Sequence, residues 1–147
     1  MKRYLIALVA LCATLVSSAA EVGDVPVEVN ALPATARHFL KSNFPNGEVL
    51  YAVKDVDFTS VEYKVALSDG VVIEFNKRGE WKEIDGNGKP LPESVIPEAV
   101  RKTVQKRFSG RAVTSISLDR DNYELKLDNG LEVELTGSGK IVDIDKD

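Results

Sequence analysis

The chain has 147 residues, 44% hydrophobic, 29% charged and 7% aromatic, with one Cys, one His and a formal net charge of −4. Those proportions exclude collagen-like, disordered and multi-span membrane classes and leave room for one modest domain or two very small ones. The excess of 23 acidic over 19 basic residues also argues against nucleic acid as a partner, because phosphate-backbone binding draws on clustered Lys and Arg.

Lys2 and Arg3 precede an apolar run from Tyr4 to Val16, followed by Ser17-Ser18-Ala19-Ala20. This is the order of a secretory signal peptide. About 13 apolar residues fall short of the roughly 20 that a permanent membrane helix needs. Cleavage is expected after Ala20, with Ala19 the alternative, and no stable membrane insertion should follow it. The mature chain would then run from Glu21 to Asp147, and the loss of Lys2 and Arg3 leaves 17 basic against 23 acidic residues, a net charge of −6. Cys12 leaves with the signal, and Leu11 before it is too large for a lipidation site. The mature chain, periplasmic or secreted, would have no disulfide, thiolate zinc site or cysteine nucleophile.

Residues 21–30 read as an N-terminal extension, 31–86 as one structural unit, 87–95 as a Gly- and Pro-rich connector, and 96–147 as a second copy of the unit. The duplication is visible at two sequence offsets. At the first, Leu32-Pro33 meets Ile96-Pro97, Ala36 meets Val100, Leu40 meets Val104, and Phe44 meets Phe108. At the second, slightly shorter offset, Tyr63 meets Tyr123, Leu67 meets Leu127, Gly70 meets Gly130, Gly79 meets Gly139, and Ile84-Asp85 meets Ile144-Asp145. One loop that is four residues longer in the first copy, carrying Asp55, Asp57 and Phe58, accounts for the change of offset.

Each copy predicts one helix and then four strands. Pro33 and Pro97 open the helices, where a missing N–H costs nothing. Ala36, Phe39, Leu40 and Phe44 follow at helical spacing, as do Val100, Val104 and Phe108. Strands are expected over 48–54, 61–67, 71–76 and 80–84, and again over 112–118, 123–127, 131–136 and 140–144. Ser68-Asp69-Gly70 and Asp128-Asn129-Gly130 supply tight hairpin turns. Alternation places Val65, Ile73, Phe75, Leu125, Val133 and Leu135 on a face beneath the helices, and Glu62, Lys64, Glu74, Glu124, Lys126, Glu132 and Glu134 on a solvated face with cross-strand ion pairs. The fold class is therefore α+β: a tandem duplication of a helix plus a four-stranded antiparallel meander. A unit of about 50 residues has a marginal core alone, so the two halves are expected to share one continuous sheet with the helices on one face.

Catalytic signals are sparse. His38 aligns with Lys102, no second imidazole accompanies it, and no Gly-x-Ser-x-Gly elbow is present. Asp85-Gly86-Asn87-Gly88 invites a calcium reading, but Lys89, Pro90 and Ile96 occupy positions where an EF-hand loop needs an oxygen ligand, Gly and Glu. An ordinary turn is expected there, and the acidic tail Asp143 to Asp147 is expected to fray. No cofactor or metal site is assigned. Aromatic anchors offer the better functional signal, because Trp and Tyr concentrate binding energy at interfaces. Trp81 is either core, as its alignment with Ile141 suggests, or such an anchor. With Lys82, Tyr51, Phe58 and Asp57 it forms the candidate partner-binding set, all in the first copy.

The paired Leu/Ile-Pro helices, the aromatic at each helix end, the Tyr63-x-Val65-x-Leu67 strand, the Gly turns and the run from Phe75 to Asp85 resemble the PepSY-like, beta-lactamase-inhibitor-like family of small exported bacterial proteins. The similarity covers Leu32 to Asp145. It implies two tandem units sharing a sheet with an open face for binding, and a role in binding or inhibiting another cell-envelope protein. No inhibitory contact residue carries over position by position. The expectation is a non-catalytic binding module; the alternative is an extracytoplasmic small-molecule or metal-ion binding protein that uses the acidic open face.

Overall fold

A computed structural model describes residues 23–146 of the protein. The signal-peptide reading of residues 1–20 lies outside the described residues. The chain runs β1 (Gly23–Pro26), a 3-10 turn (Val29–Ala31), α1 (Ala34–Asn43), β2 (Val49–Val56), β3 (Val61–Leu67), β4 (Val72–Asn76) and β5 (Trp81–Asp85). After a second 3-10 turn (Glu93–Val95) it continues with α2 (Glu98–Arg107), β6 (Val113–Asp119), β7 (Asn122–Leu127), β8 (Leu131–Thr136) and β9 (Ile141–Lys146). These nine strands form one antiparallel sheet in sequence order.

The two helices are built alike. Each has 10 residues, a proline at its N-cap, and a phenylalanine at its C-cap whose N–H donates to the carbonyl four residues earlier at 2.8 Å. Ala36 and Leu40 of α1, and Val100 and Val104 of α2, are buried in one continuous apolar cluster with Val65, Ile73, Phe75, Ile84, Ile116, Leu125, Val133 and Leu135. Phe39 meets Phe75 edge-on at 5.8 Å between ring centroids, a geometry that places a ring's positive edge against its neighbour's negative face.

Glycine turns bring the sheet against the helices. Gly79 and Gly139 have φ of +82° and +84°, and a Cβ at either would lie 2.7 Å from the Ala36 nitrogen or 2.5 Å from the Ala99 oxygen. Both the left-handed backbone and the close approach therefore demand glycine. Bulges also repeat: Val49/Tyr51 in β2 matches Val113/Ser115 in β6, and the extra residue Lys82 in β5, opposite Glu74/Phe75, matches Val142 in β9, opposite Glu134/Leu135.

The seam between the halves is β5 on β6. Glu83 faces Ser117, Ile84 faces Ile116 and Asp85 faces Ser115. Ile84 and Ile116 are fully buried, so the apolar cluster crosses the seam without a break.

Two sequence expectations need correction, and the N-terminal extension gains a strand. Residues 23–26, within the expected N-terminal extension, form a strand paired along β2, Asp24 facing Asp55 and Val25 facing Lys54. The acidic tail does not fray at Asp143: β9 runs to Lys146 because it stays in register with β8, down to Lys146 opposite Leu131. Asp55 belongs to β2 rather than to the long loop, which reduces to residues 57–60.

Candidate functional site

Opposite the apolar cluster, the sheet carries polar rows fixed by antiparallel register. One line of cross-strand neighbours runs Lys64, Glu74, Glu83, Ser117, Glu124, Glu134, Asp143. A second runs Ala66, Val72, Asp85, Ser115, Lys126, Glu132, Asp145. Lys64 bonds Glu74 at 2.8 Å, Lys126 lies 3.5 Å from Glu132, and Lys82 pairs with Glu62. These are the ion pairs expected of a solvated face, and each is exposed enough to contribute under about 1 kcal/mol.

Charge is not evenly spread along this face. Lys64, Glu74 and Glu83 in the first half correspond, one repeat later, to Glu124, Glu134 and Asp143, so a lysine is exchanged for a glutamate. The result is a shallow depression lined by Glu124, Glu132, Glu134, Asp143 and Asp145. Asn122 donates to Glu134 at 2.7 Å. Among the described residues, no group of three or more His, Cys, Asp or Glu side chains could hold a metal ion. In the middle of the face, desolvation pushes the Glu83 carboxyl above its ordinary value, and the Glu74 and Asp85 charges push it further in the same direction. Lys64 is held above the usual lysine range by its hydrogen bond and charge contact with Glu74.

The candidate anchors fall in three places. Phe58 is 94% exposed at the tip of the β2–β3 hairpin. Asp57 beside it organises the tip: its carboxylate accepts from the Thr59 and Ser60 backbone N–H groups at 2.6 and 2.7 Å and from both hydroxyls. Those hydrogen bonds hold its pKa down at about 2. Lys82 lies near this tip, in a groove it shares with Ser60, Glu62, Arg78 and Arg120.

Tyr51 is exposed but sits elsewhere, opposite Ala66 at the other end of β2. Trp81 is half-buried on the apolar side, opposite Phe75, with its ring 6.2 Å from that of Tyr123. Sequence reasoning did not foresee the Trp81–Tyr123 contact, since nothing local links residues in different repeats.

The remaining motifs lie apart from these anchors. His38 is exposed on α1, its ring 3.4 Å from the Ser42 hydroxyl. Asp85-Gly86-Asn87-Gly88 is a turn in which the Asp85 carboxylate accepts from the Asn87 N–H at 2.8 Å, and Asn87 and Gly88 take up φ of 52° and 79°. Among the described residues, no helix is long and apolar enough to cross a membrane.

A search of curated proteins returns no significant match. Solved structures share the fold, among them three described as periplasmic proteins. One, from Bacteroides thetaiotaomicron and described as a "putative calcium-regulated periplasmic protein", is 32% identical with a TM-score of 0.80, over 84% of this chain and 97% of its own. A periplasmic protein of the DUF2874 family from Bacteroides vulgatus is 34% identical with a TM-score of 0.80, over 84% and 97%. Another periplasmic protein from the same species, of unknown function, is 37% identical with a TM-score of 0.78, over 84% and 100%. The family model described as beta-lactamase-inhibitor-like and PepSY-like matches twice, over residues 20–71 and 61–143. Together these matches span nearly all of the described residues, and the protein belongs to the PepSY-like, beta-lactamase-inhibitor-like family.

Proposed function

We propose that this protein is an exported, non-catalytic binding module that engages another protein of the cell envelope through its open sheet face. The observation that carries this reading is the uneven distribution of charge: one face of a nine-stranded sheet is left mainly to acids, interrupted by Lys64, Lys82 and Lys126. Both helices cover the other face. A face so charged is poorly suited to self-association and well suited to steering a basic partner. Export and a periplasmic location agree with the signal-like N-terminus and with the descriptions of the three related structures.

Within this reading Phe58 is an apolar anchor on a loop pre-ordered by Asp57, with Lys82 beside it, and Tyr51 is a separate contact. Trp81 supports the face from behind. The reading is tested by quantitative capture from envelope extract, comparing wild type with Glu83→Lys/Glu124→Lys, with Phe58→Ser and with Trp81→Ala. Loss of the same salt-sensitive partner from the first variant is expected. Unchanged capture by all three would refute it.

A second reading is favoured by one specific observation: five acids line a single depression at the β8–β9 end. That end would attract a divalent cation through its summed charge, without a ready-made set of three ligands among the described residues, in keeping with the description of the Bacteroides thetaiotaomicron relative. Thermal melts with and without calcium separate the two. A large stabilisation at modest calcium, abolished by Asp143→Asn/Asp145→Asn, would favour the cation.

A further inference from the structure

We infer that the outer edge of β9 is an acceptor for an added strand, and that the strand it accepts alternates basic and apolar residues. The inference rests on the proposed role as a binding module and specifies the partner's chemistry.

The internal repeat supplies the template. β5 and β9 are equivalent strands, and in the first half β5 receives β6 along its outer edge. Ile84 is thereby fully buried against Ile116, whereas its equivalent Ile144 remains 44% exposed, on the same side of the sheet as the buried Val133. Val142 is also exposed, at 52%. Among the described residues β9 is the last strand of the sheet, so alternate backbone N–H and C=O groups along it face outward from the sheet edge. Such an edge is a template for strand addition. The opposite edge is a poorer one: β1 has 4 residues and ends in Pro26, which has no N–H to donate.

Charge selects the occupant. The β5–β6 register puts an apolar residue opposite Ile84 and small polar residues opposite Glu83 and Asp85. Transferred to β9, it puts an apolar residue opposite Ile144 and flanking residues opposite Asp143 and Asp145. Those two acids are backed by Glu134 and Glu132 on β8. Lysine or arginine at the flanking positions would complete rows that now end in acids. A second copy is disfavoured by the same register: pairing β9 with β9 about Ile144 sets Asp143 against Asp145 twice, and like charges directly opposite are destabilising.

The probe is the acetylated, amidated peptide Lys-Val-Lys-Val-Lys-Val-Lys, followed by fluorescence anisotropy and by hydrogen exchange of the full mature protein. Binding should slow exchange in residues 141–146. Asp143→Asn/Asp145→Asn should weaken it roughly tenfold, while Glu93→Gln/Glu98→Gln, exposed acids in and just before α2 that pair with Arg101 and Lys102, should change it by no more than about twofold. Two N-methylated peptides complete the test, one methylated on its Val amides and one on its Lys amides. Because only alternate amides of an added strand face its neighbour, one methylated peptide should lose binding and the other retain it.

Equal behaviour of the two methylated peptides would overturn the proposal. Absence of binding would overturn it too, as would a dimer in sedimentation that the peptide does not disrupt. Loss of binding on Glu83→Gln/Glu124→Gln, with binding kept by Asp143→Asn/Asp145→Asn, would move the contact to the open face, overturning the strand while leaving the proposed function standing.

Discussion

The Thr103 hydroxyl donates to the Gly139 carbonyl at 2.6 Å, tying the middle of α2 to the β8–β9 turn. The same hydroxyl lies 3.2 Å from the Ala99 carbonyl, and Ala99 is the residue a Cβ on Gly139 would strike. One helix turn and one sheet turn are thus fitted to each other at a single point.

Gly139→Ala should therefore destabilise the protein by roughly 3 kcal/mol, combining a left-handed backbone penalty with a backbone clash. Gly88→Ala is the control. Its φ is similar, at +79°, yet nothing lies within 4 Å of an added Cβ, so the cost should be about 1 kcal/mol. Thr103→Val should cost about 1 kcal/mol through the lost hydrogen bond. Denaturant melts of the three variants check the order; equal losses at Gly139 and Gly88 would disprove the tight fit.

Ile116→Ala should cost roughly 2–5 kcal/mol, since it opens a cavity in a fully buried seam. The seam residues Ile84 and Ile116 belong to one apolar cluster that spans both repeats. Unfolding should accordingly remain a single cooperative transition in wild type, seen identically by Trp81 fluorescence from the first repeat and by far-UV circular dichroism. Separate midpoints from the two probes would mean that the halves unfold independently.

Asp57 offers a pH signature. Its hydrogen bonds from Thr59 and Ser60 lower its pKa from 3.8 to about 2. For a carboxyl depressed on folding, the stabilising contribution is present above the ordinary value and is lost as pH falls through the folded one. The Thr59 and Ser60 amide resonances should thus hold steady down to about pH 3 and then shift together with the Asp57 carboxyl. Asp57→Ala should loosen the tip, speeding proteolysis beside Phe58 without lowering the melting temperature appreciably. An Asp57 that titrates at the ordinary value would show that the loop is not pre-ordered.

Glu83 should behave in the opposite sense. Desolvation, reinforced by Glu74 and Asp85, raises its pKa, so its ionised form is disfavoured in the folded state and the cost is present above that raised value. Glu83→Gln should stabilise the protein at pH 7 by up to ~0.5 kcal/mol, a small figure because water screens this exposed site. The gain should shrink as pH falls and Glu83 itself becomes protonated. Thermal melts at pH 4 and pH 7 measure the difference; a gain that is independent of pH would point to packing instead.

Much of the fold was legible because its signals are local. Pro33 and Pro97 mark helix starts, Gly70 and Gly130 mark turns at φ of 94° and 83°, and the alternation in residues 61–67 and 131–136 matches β3 and β8 to the residue. β1 was not legible: Gly-Asp-Val-Pro has too few residues to show a period and contains two strand breakers. Extension of β9 to Lys146 was missed for a related reason, because charged residues at an edge read as a solvated tail until a partner strand is known.

The candidate site divides in the same way. Exposure of Phe58 at a longer loop follows from the sequence, since nothing in the second repeat matches it. Which acids gather does not. Glu124, Glu134 and Asp143 are far apart along the chain, and only antiparallel register sets them side by side. By itself the sequence determined the repeating unit, its turns and the apolar side of each strand, all properties of short-range periodicity. Only the tertiary structure decided that the halves join through Ile84 and Ile116, that Trp81 packs beside Tyr123, and that the last strand presents an acidic edge, because those depend on which distant segments become neighbours.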